Sequence, residues 1–558
     1  METFHFSKPP KSVLLWLNIS QLMKTMIQKE DLKYYPFLIL ILFIYFWNFW
    51  YNAIWIPNES FYAEAVREMF ESGNFLDIFY NYEPRFKKPP LTYWSIALSV
   101  FIFGLNEFAI RLPIILMALG SSFLTYKIAQ VLFDKNVALF SFFAMALSFQ
   151  FLMNSRYASP EIPLLFFFTL TLYLFLKGYK ENRSLYIFLS YISFGLTVLT
   201  KGYPYIFILA GIIGFYTLIE SNFNLKQWFL KIWQLKPYIG ILITLLIGLS
   251  WLLYMYLKFG SMFWKVYNEE IIKKAFEGKL KYSDLFFYIT VILWGFLPYS
   301  LVFYFSFLDS YKRWFKDFSF VFSWIFVMFV TFTIVKTKLP TYFIQTFPAL
   351  SVFVGYYIAN YNPDSFKKYL WYLTFFIPSI LITITNFGIV YLFNFNYFYY
   401  LLCIFPFFYL FKYRNYKLLP FLCIIVTSLI FTVSLLIKIE NYRPYKKIGR
   451  IVNQKVPDRS IPLIIEDRFF YNLPFYAKRK VLKICNYQQI VHYKNKNKYL
   501  LALVSEESMK KLKNTEILWS GYLYPSSESR LAIFLKNIYK AEKGDFSSFI
   551  KMYLIFSY

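Results

Sequence analysis

Residues 91–104 read LTYWSIALSVFIFG, and whether this stretch crosses a membrane decides the topology of the whole chain. It holds 14 residues, whereas a helix needs about 20 to cross the hydrocarbon core of a bilayer. Of the 558 residues around it, 58% are hydrophobic and 16% are charged, although soluble domains carry about 25% charged residues. This composition, with long apolar runs recurring along the chain, predicts a polytopic α-helical membrane protein.

Thirteen longer apolar runs accompany this short one. They begin near residues 36, 111, 136, 160, 184, 203, 236, 285, 319, 341, 369, 397 and 418. Lys and Arg accumulate in cytoplasmic loops, so the basic connections decide the count. If residues 91–104 do not cross and the N-terminus is cytoplasmic, every short basic connection falls on the cytoplasmic side. We therefore predict about 13 transmembrane helices, a cytoplasmic N-terminus and an outer C-terminus.

This topology places four loops and a tail on the outer face. The loops are residues 51–110, 154–162, 259–284 and 336–341. Outer loops need no charge for orientation, yet three of the four are rich in charge or Pro, so chemistry is expected there. The tail alternates short β-like runs with polar helical stretches, which predicts a small α/β domain. The expected divisions are 1–35 (cytoplasmic segment), 36–439 (membrane domain) and 440–558 (outer soluble domain).

Charge and histidine content exclude several function classes. The formal net charge is +28, but the basic residues lie between apolar runs, where they orient spans and meet anionic lipid head groups. There is no basic helix or single-strand-binding module, so nucleic acid is not an expected partner. The two histidines, His5 and His492, lie outside the spans. This argues against a His-ligated metal or a His general base in the membrane region.

The first outer loop opens with residues 58–69, NESFYAEAVREM. Asn58 is a candidate N-cap and Gly73 a candidate terminator. Apolar side chains fall on one face at helical spacing, and the acids and Arg67 fall largely on the other. The pattern predicts an amphipathic helix that lies on the membrane surface.

Three further outer segments carry charge in patterns with two readings each. Residues 85–90, RFKKPP, place three cations before a stiff Pro pair. This segment is either an anchor at the membrane interface or a phosphate-binding site. Glu161 opens a span, either as a helix-capping carboxylate or as a functional group. Residues 336–342, KTKLPTY, are again either an anchor or part of a site.

Taken together, these segments resemble the GT-C glycosyltransferases, in particular the bacterial lipid A aminoarabinose transferases and the protein O-mannosyltransferase-like superfamily. The resemblance extends over residues 36–360 as an ordered set of motifs. The motifs are NESFYAE (58–64), REM (67–69), KPPLTYW (88–94), FG (103–104), RLP (111–113), RY (156–157), LTKG (199–202) and KLPTY (338–342).

The resemblance implies an inverting transfer of a sugar from a polyprenyl-phosphate donor to a lipid A-type phosphate. The reaction would take place at the periplasmic face of a bacterial inner membrane. The implied catalytic residues are Asn58, Glu59 and Glu161. The implied donor-phosphate ligands are Lys88 and Tyr342. Lys274, or its neighbour Lys273, of the third outer loop is a further candidate ligand, and the expected sugar contacts are Tyr62, Arg85 and Lys87. Fixed cations stabilise a leaving phosphate, and a carboxylate near the anomeric carbon supports its positive charge.

Three departures from the family pattern refine this expectation. Asn58 replaces an Asp and cannot act as a base, which favours an already anionic phosphate acceptor over a Ser or Thr hydroxyl, unless Glu59 supplies the base. Glu161 replaces an Asp and is chemically equivalent. Residues 85–88 read RFKK where the aminoarabinose transferases typically have Tyr-Phe-Glu-Lys. The added cations predict a neutral or anionic donor sugar, such as a uronic acid.

Two other functions stay open, namely protein O-glycosylation by the same fold and a non-enzymatic flippase or transporter for lipid-linked sugars. Mid-span charges and broken half-helices would favour transport, but the charges concentrate in the outer loops. Glu59 and Glu161 offer two ligands to a divalent metal. Because Asn58 removes a hard anionic oxygen, we predict no obligatory metal and no other cofactor. The expected partners are the lipid-linked donor, a lipid A-like acceptor and membrane lipids.

Overall fold

A computed structural model describes residues 35–277 and 282–557. The expected cytoplasmic segment lies outside the described residues except for its last residue. The helices before the second outer loop are α1 (Tyr35–Phe46), α2 (Asn58–Ser72), α3 (Leu91–Phe103), α4 (Glu107–Leu132), α5 (Lys135–Ala146) and α6 (Phe149–Ser155). The next group is α7 (Glu161–Lys180), α8 (Ser184–Lys201), α9 (Pro204–Ile219), α10 (Leu225–Gln234), α11 (Pro237–Gly248), α12 (Ser250–Asn268) and α13 (Lys274–Phe276).

The rest of the membrane domain is also helical. Its helices are α14 (Tyr282–Gly295), α15 (Ser300–Asp309), α16 (Ser319–Ile334), α17 (Phe347–Asn360), α18 (Ser365–Leu392), α19 (Phe398–Tyr413), α20 (Leu419–Ile430) and α21 (Leu436–Glu440). A short hairpin, β1 (Phe79–Tyr80) and β2 (Glu83–Pro84), lies in the first outer loop.

Helix lengths confirm a many-helix membrane protein. Within the described ranges, six helices are long and apolar enough to cross a bilayer, or up to eight if each of two bent pairs is one span. Helix is present at every one of the thirteen predicted apolar runs. Several of these helices, such as α9 with 16 residues, are shorter than a full span. The count of thirteen crossings therefore stays a prediction.

Residues 91–104 form the short helix α3, which Gly104 ends at a φ of 77°. One face packs into the protein through Tyr93, Ile96 and Val100, whereas Leu98 and Phe101 are exposed. The helix is thus apolar on both sides, as expected of an element between protein and lipid. Whether it stays on the outer face remains a prediction.

The prediction of a surface-lying helix at residues 58–69 is wrong in two respects. The helix α2 is present and Gly73 ends it in the left-handed region, but Pro57 occupies the N-cap position instead of Asn58. In addition, its polar face is buried, and Arg67 forms ion pairs with Glu64 and Glu68 there instead of facing water. Tyr82 of the following hairpin and Arg459 of the C-terminal tail reach this face, which therefore lacks the solvent that an amphipathic surface helix requires.

The tail forms a small α/β domain, as predicted. Its strands are β3 (Leu463–Glu466), β4 (Val481–Ile484), β5 (Leu500–Ser505), β6 (Glu516–Leu523) and β7 (Ile550–Ser557). Its helices are α22 (Tyr445–Lys455), α23 (Leu473–Ala477), α24 (Tyr487–Lys496), α25 (Glu506–Lys511) and α26 (Leu531–Glu542). The sheet order is β4-β3-β5-β7-β6, parallel over the first three strands and antiparallel over the rest. The continuous apolar run of β5 is buried on both sheet faces, as parallel strands require.

The cysteines offer a direct test of the outer tail. Cys485 is exposed in the tail domain, whereas Cys403 and Cys423 are buried in the membrane domain. A membrane-impermeant maleimide added to intact spheroplasts should therefore label one thiol, and Cys485→Ser should abolish the label. Labelling that appears only after the membrane is permeabilised would contradict the outer location of the tail.

Candidate active site

Segments far apart in the sequence converge around Glu161, the first residue of α7. Its Oε1 lies 3.3 Å from the Nζ of Lys201, which ends α8. The same ammonium lies 5.0 Å from the ring centroid of Tyr342, which belongs to a 3-10 segment between α16 and α17. The side chains of Glu161 and Lys201 are only 16% and 8% exposed. Three segments that are far apart in the sequence thus contribute to one partly desolvated charged cluster.

The first outer loop supplies an aromatic and cationic wall to this cluster. Tyr62 of α2 stacks on Tyr93 of α3 with ring centroids 4.5 Å apart, and its hydroxyl interacts electrostatically with Glu161. The Nε of Arg85 lies 3.4 Å from the Tyr93 hydroxyl oxygen. The Arg85 guanidinium also lies 3.8 Å from the centroid of Phe61. The predicted residues Tyr62 and Arg85 are therefore both brought to the cluster.

A second ion pair lies on the side of the third outer loop. Lys88 Nζ is 3.7 Å from Oε1 of Glu270, and Glu270 interacts electrostatically with Tyr342. Lys88 and Tyr342, the two predicted phosphate ligands, are thus both neighbours of Glu270. The side chain of the third predicted ligand, Lys274, lies outside the described residues.

Asn58 and Lys87 are both exposed at this end of the molecule. Asn58 interacts with the Tyr157 hydroxyl, which in turn interacts with Glu161. Asn58 is therefore linked to the cluster through the second outer loop, whereas Lys87 lies on the surface of the first loop. The structure thus brings Asn58 to the charged cluster and leaves Lys87 at its edge.

Glu59 is placed differently from its predicted catalytic role. It is fully buried, and Arg111 Nε and Nη2 donate to its two oxygens at 2.7 Å each. The backbone N–H groups of Trp55 and Ala158 donate to the same carboxylate at 2.8 and 3.0 Å. With four donors on two oxygens, Glu59 is a structural anchor between the first loop, α4 and the second loop. This geometry does not fit a role as acid, base or nucleophile.

Three residues of this region, namely Lys201, Arg111 and Glu270, were not among the predicted site residues. The sequence does distinguish the first two. Lys201 is a cation at the predicted outer end of a span, where the positive-inside rule does not require one. Arg111 stands inside an apolar run, where a charge is costly and needs a partner. Glu270 lies in a loop with many charges, and nothing in the sequence distinguishes it from Glu269.

The arrangement offers little to a metal ion. Within the described part of the chain, no group of three or more His, Cys, Asp or Glu residues could hold one. Glu59, one of the two carboxylates considered as ligands, accepts bonds from Arg111 instead. Independence from metal stays a prediction for assay with chelators.

The polar face of α2 forms a buried acidic cluster beside the site. Arg67 binds Glu64 through Nε and Nη2 at 2.7 and 2.8 Å, and the Tyr82 N–H donates to both oxygens of Glu68. Burial, and next the charge of Glu64, raise the pKa of Glu68 to about 9. The cluster therefore retains a proton at neutral pH.

Four comparisons place this geometry among known proteins. A family profile described as dolichyl-phosphate-mannose-protein mannosyltransferase matches residues 87–254. An uncharacterized protein of Aquifex aeolicus is 33% identical over 92% of this chain and 97% of its own length. Undecaprenyl phosphate-alpha-4-amino-4-deoxy-L-arabinose arabinosyl transferase 1 of Proteus mirabilis is 27% identical, over 59% of this chain and 60% of that enzyme. The crystal structure of ArnT from Cupriavidus metallidurans bound to undecaprenyl phosphate superimposes with a TM-score of 0.70 at 19% identity, covering 88% of this chain and 96% of that one.

The Glu59 anchor predicts a stability effect. In Glu59→Gln, the NH₂ group of the amide would face N–H groups that now donate to the carboxylate. Arg111 would also stay buried without a counter-charge, and breaking such a buried pair costs about 3–5 kcal/mol of stability. The thermal unfolding midpoint of the detergent-purified variant should fall clearly. Glu161→Gln is the matched control, since its ion pair is partly exposed and its loss should cost less. A Glu59→Gln protein as stable as wild type but inactive would instead support the catalytic role.

The Glu68 proton predicts a pH effect. Its carboxyl ionises near pH 4.5 when solvated and near 9 in the fold, so the unfolded chain releases a proton that the folded chain keeps. Stability therefore falls as pH rises between those values. Glu68→Gln keeps an acceptor for Tyr82 and removes the titration. Its thermal unfolding midpoint should fall less than that of wild type between pH 5 and pH 9. If the midpoints of both proteins changed equally with pH, the retained proton on Glu68 would be contradicted.

Proposed function

This chain belongs to the GT-C superfamily of membrane glycosyltransferases, in one family with the Aquifex aeolicus protein that it matches over 97% of that protein's length, and on that premise we propose that it transfers a sugar from a polyprenyl-phosphate donor to a lipid A-type phosphate. The observation that carries the proposal is the cluster of Lys88, Glu270, Tyr342, Lys201 and Glu161. Two cations, a hydroxyl and two carboxylates from five separate segments meet there. Such groups can stabilise the charges that develop when a sugar–phosphate bond breaks.

The leaving phosphate would occupy the end of the cluster near Lys88 and Tyr342. When the anomeric C–O bond breaks, the electron pair stays on the polyprenyl phosphate, whose negative charge grows. Fixed donors placed at that position stabilise the transition state more than the ground state. Lys88 supplies an ammonium and Tyr342 a hydroxyl, and an arriving phosphate would replace the Glu270 carboxylate 3.7 Å from Lys88.

Glu161 would act on the sugar carbon. The acceptor phosphate oxygen attacks the anomeric carbon from the face opposite the leaving group, which inverts the configuration. Positive charge develops on the ring during this step, and a nearby carboxylate stabilises it. The phosphate nucleophile is already an anion and needs no base. This suits a site in which Asn58 replaces a carboxylate and Glu59 is occupied by Arg111.

The cations of the first loop support a donor sugar without positive charge. Arg85 lies between Phe61 and Tyr93 beside the cluster, and Lys87 is exposed nearby. An ammonium-bearing sugar would meet unfavourable Coulomb energy there, whereas a carboxylate sugar would be attracted to both cations. A neutral or uronic acid sugar is therefore the proposed donor group, and the periplasmic face of a bacterial inner membrane is the proposed location.

The function is tested by an assay with purified protein and a panel of donors. Polyprenyl phosphates carrying aminoarabinose, galacturonic acid or a neutral hexose are mixed with lipid A, and free polyprenyl phosphate and modified lipid are measured by mass spectrometry. Faster transfer of the uronic or neutral sugar is expected. Aminoarabinose transfer at an equal or higher rate would contradict the sugar assignment, and sugar attached to protein would contradict the lipid acceptor. No release from any donor would contradict a transferase.

In the same assay, Lys88→Ala and Glu161→Gln should each lower kcat by about 100-fold or more, as loss of a preorganised charge typically does. Lys510→Ala is the matched control, because this lysine is an exposed cation of the tail helix α25 whose partner, Glu506, lies in the same helix. Activity retained in both site variants, with normal folding, would exclude the cluster as the active site.

A further inference from the structure

The tail domain reaches the active-site loop through the β1–β2 hairpin. The Asn81 side chain bonds to Val481 in both directions, accepting from its N–H at 2.7 Å and donating to its carbonyl at 2.8 Å. The Tyr80 hydroxyl donates to the Tyr471 carbonyl at 2.8 Å. The hairpin leads directly into residues 85–88. The tail therefore helps to position the chain segment that carries the first-loop cations.

Four aromatic rings continue across this junction and form a patch on the surface. Phe61 and Tyr80 come from the first loop, and Phe469 and Tyr471 come from the tail segment after β3. The centroid of Phe61 lies 4.9 Å from Tyr80 and 5.4 Å from Tyr471, and Phe469 lies 5.3 Å from Tyr471. Tyr471 is 37% exposed, and the other three rings are half-buried. We call these four residues the aromatic patch.

The patch is continuous with the charged cluster. Arg85 lies on the face of Phe61 and approaches the Tyr93 hydroxyl, and Tyr93 stacks on Tyr62. From Tyr62 the contacts continue through Glu161, Lys201, Tyr342 and Glu270 to Lys88, so the patch and the donor phosphate site lie at the two ends of one chain of contacts. A molecule lying on the patch would therefore be next to the cluster without covering Lys88.

We propose that the aromatic patch, with Tyr471 of the tail at its centre, binds the sugar ring of the glycolipid acceptor next to the phosphate that is modified. The inference rests on the proposed function. Aromatic faces are apolar and slightly negative, and the C–H face of a pyranose is apolar and slightly positive. Arg85 at the edge of the patch supplies the bidentate donors that a sugar phosphate accepts. The tail would then be a specificity element for the acceptor.

The test separates acceptor binding from donor binding in the full-length protein. Tyr471→Leu keeps an apolar side chain and removes the ring, and should raise the KM for lipid A about 5- to 10-fold with an unchanged KM for the donor. Tyr471→Phe keeps the ring and should behave as wild type. Tyr522→Leu is the matched control, since Tyr522 is an exposed tail ring stacked on Phe546 and away from the hairpin.

Direct binding of lipid A without donor distinguishes this inference from the proposed function. Wild-type protein that binds lipid A more tightly than Tyr471→Leu, yet transfers no sugar, would support the acceptor site and contradict the transferase. Equal binding by wild type and Tyr471→Leu, absent binding by wild type, or an equal loss in Tyr522→Leu would each overturn the inference. A parallel rise in the KM of donor and acceptor would also overturn it, because that result indicates a general disturbance of the loop.

Discussion

The buried ion pair between Arg111 and Glu59 is the contact on which the rest of the outer surface depends. Arg111 donates to both Glu59 oxygens and to the carbonyls of Phe49, Asn52 and Ala53 at 2.9–3.1 Å. Removing two charges from water is costly and is tolerated only when the remaining hydrogen-bonding groups find partners. Here they do, because one guanidinium fixes both the chain that leaves α1 and the helix that follows it. The charged cluster beyond α2 inherits its position from this contact.

A second guanidinium holds the same chain segment from the tail side. Arg443 is fully buried, bonds to Glu528 at 2.8 Å and donates to the carbonyls of Ala53 and Ile54 at 3.0 Å. Two buried arginines, one from α4 and one from the start of the tail domain, therefore share the carbonyls of residues 49–54. The tail is therefore part of the framework that holds the chain segment leading into α2.

The sequence was sufficient for the helical membrane class and the small α/β tail, because apolar length and the alternation of short apolar and polar runs are local signals. It did not predict that Glu59 is paired with Arg111 or that the polar face of α2 is buried. The pattern of Glu64, Arg67 and Glu68 is that of a solvated face, but Tyr82 of the hairpin and Arg459 of the tail reach it in the folded chain. Only the tertiary structure shows that a family-typical carboxylate is occupied by an arginine, and that Glu161 pairs with Lys201.

Charge balance explains how such a site stays folded before substrate arrives. Lys201 is paired with Glu161 and Lys88 with Glu270, so neither partly buried cation lacks an opposite charge. In the proposed reaction, an arriving phosphate would displace Glu270, exchange one anion for another at Lys88 and add little new charge to the region. The Lys201–Glu161 pair would remain intact and would leave a carboxylate for the sugar carbon. The two ion pairs would then have different roles, one at the phosphate end of the site and the other at the carbon that reacts.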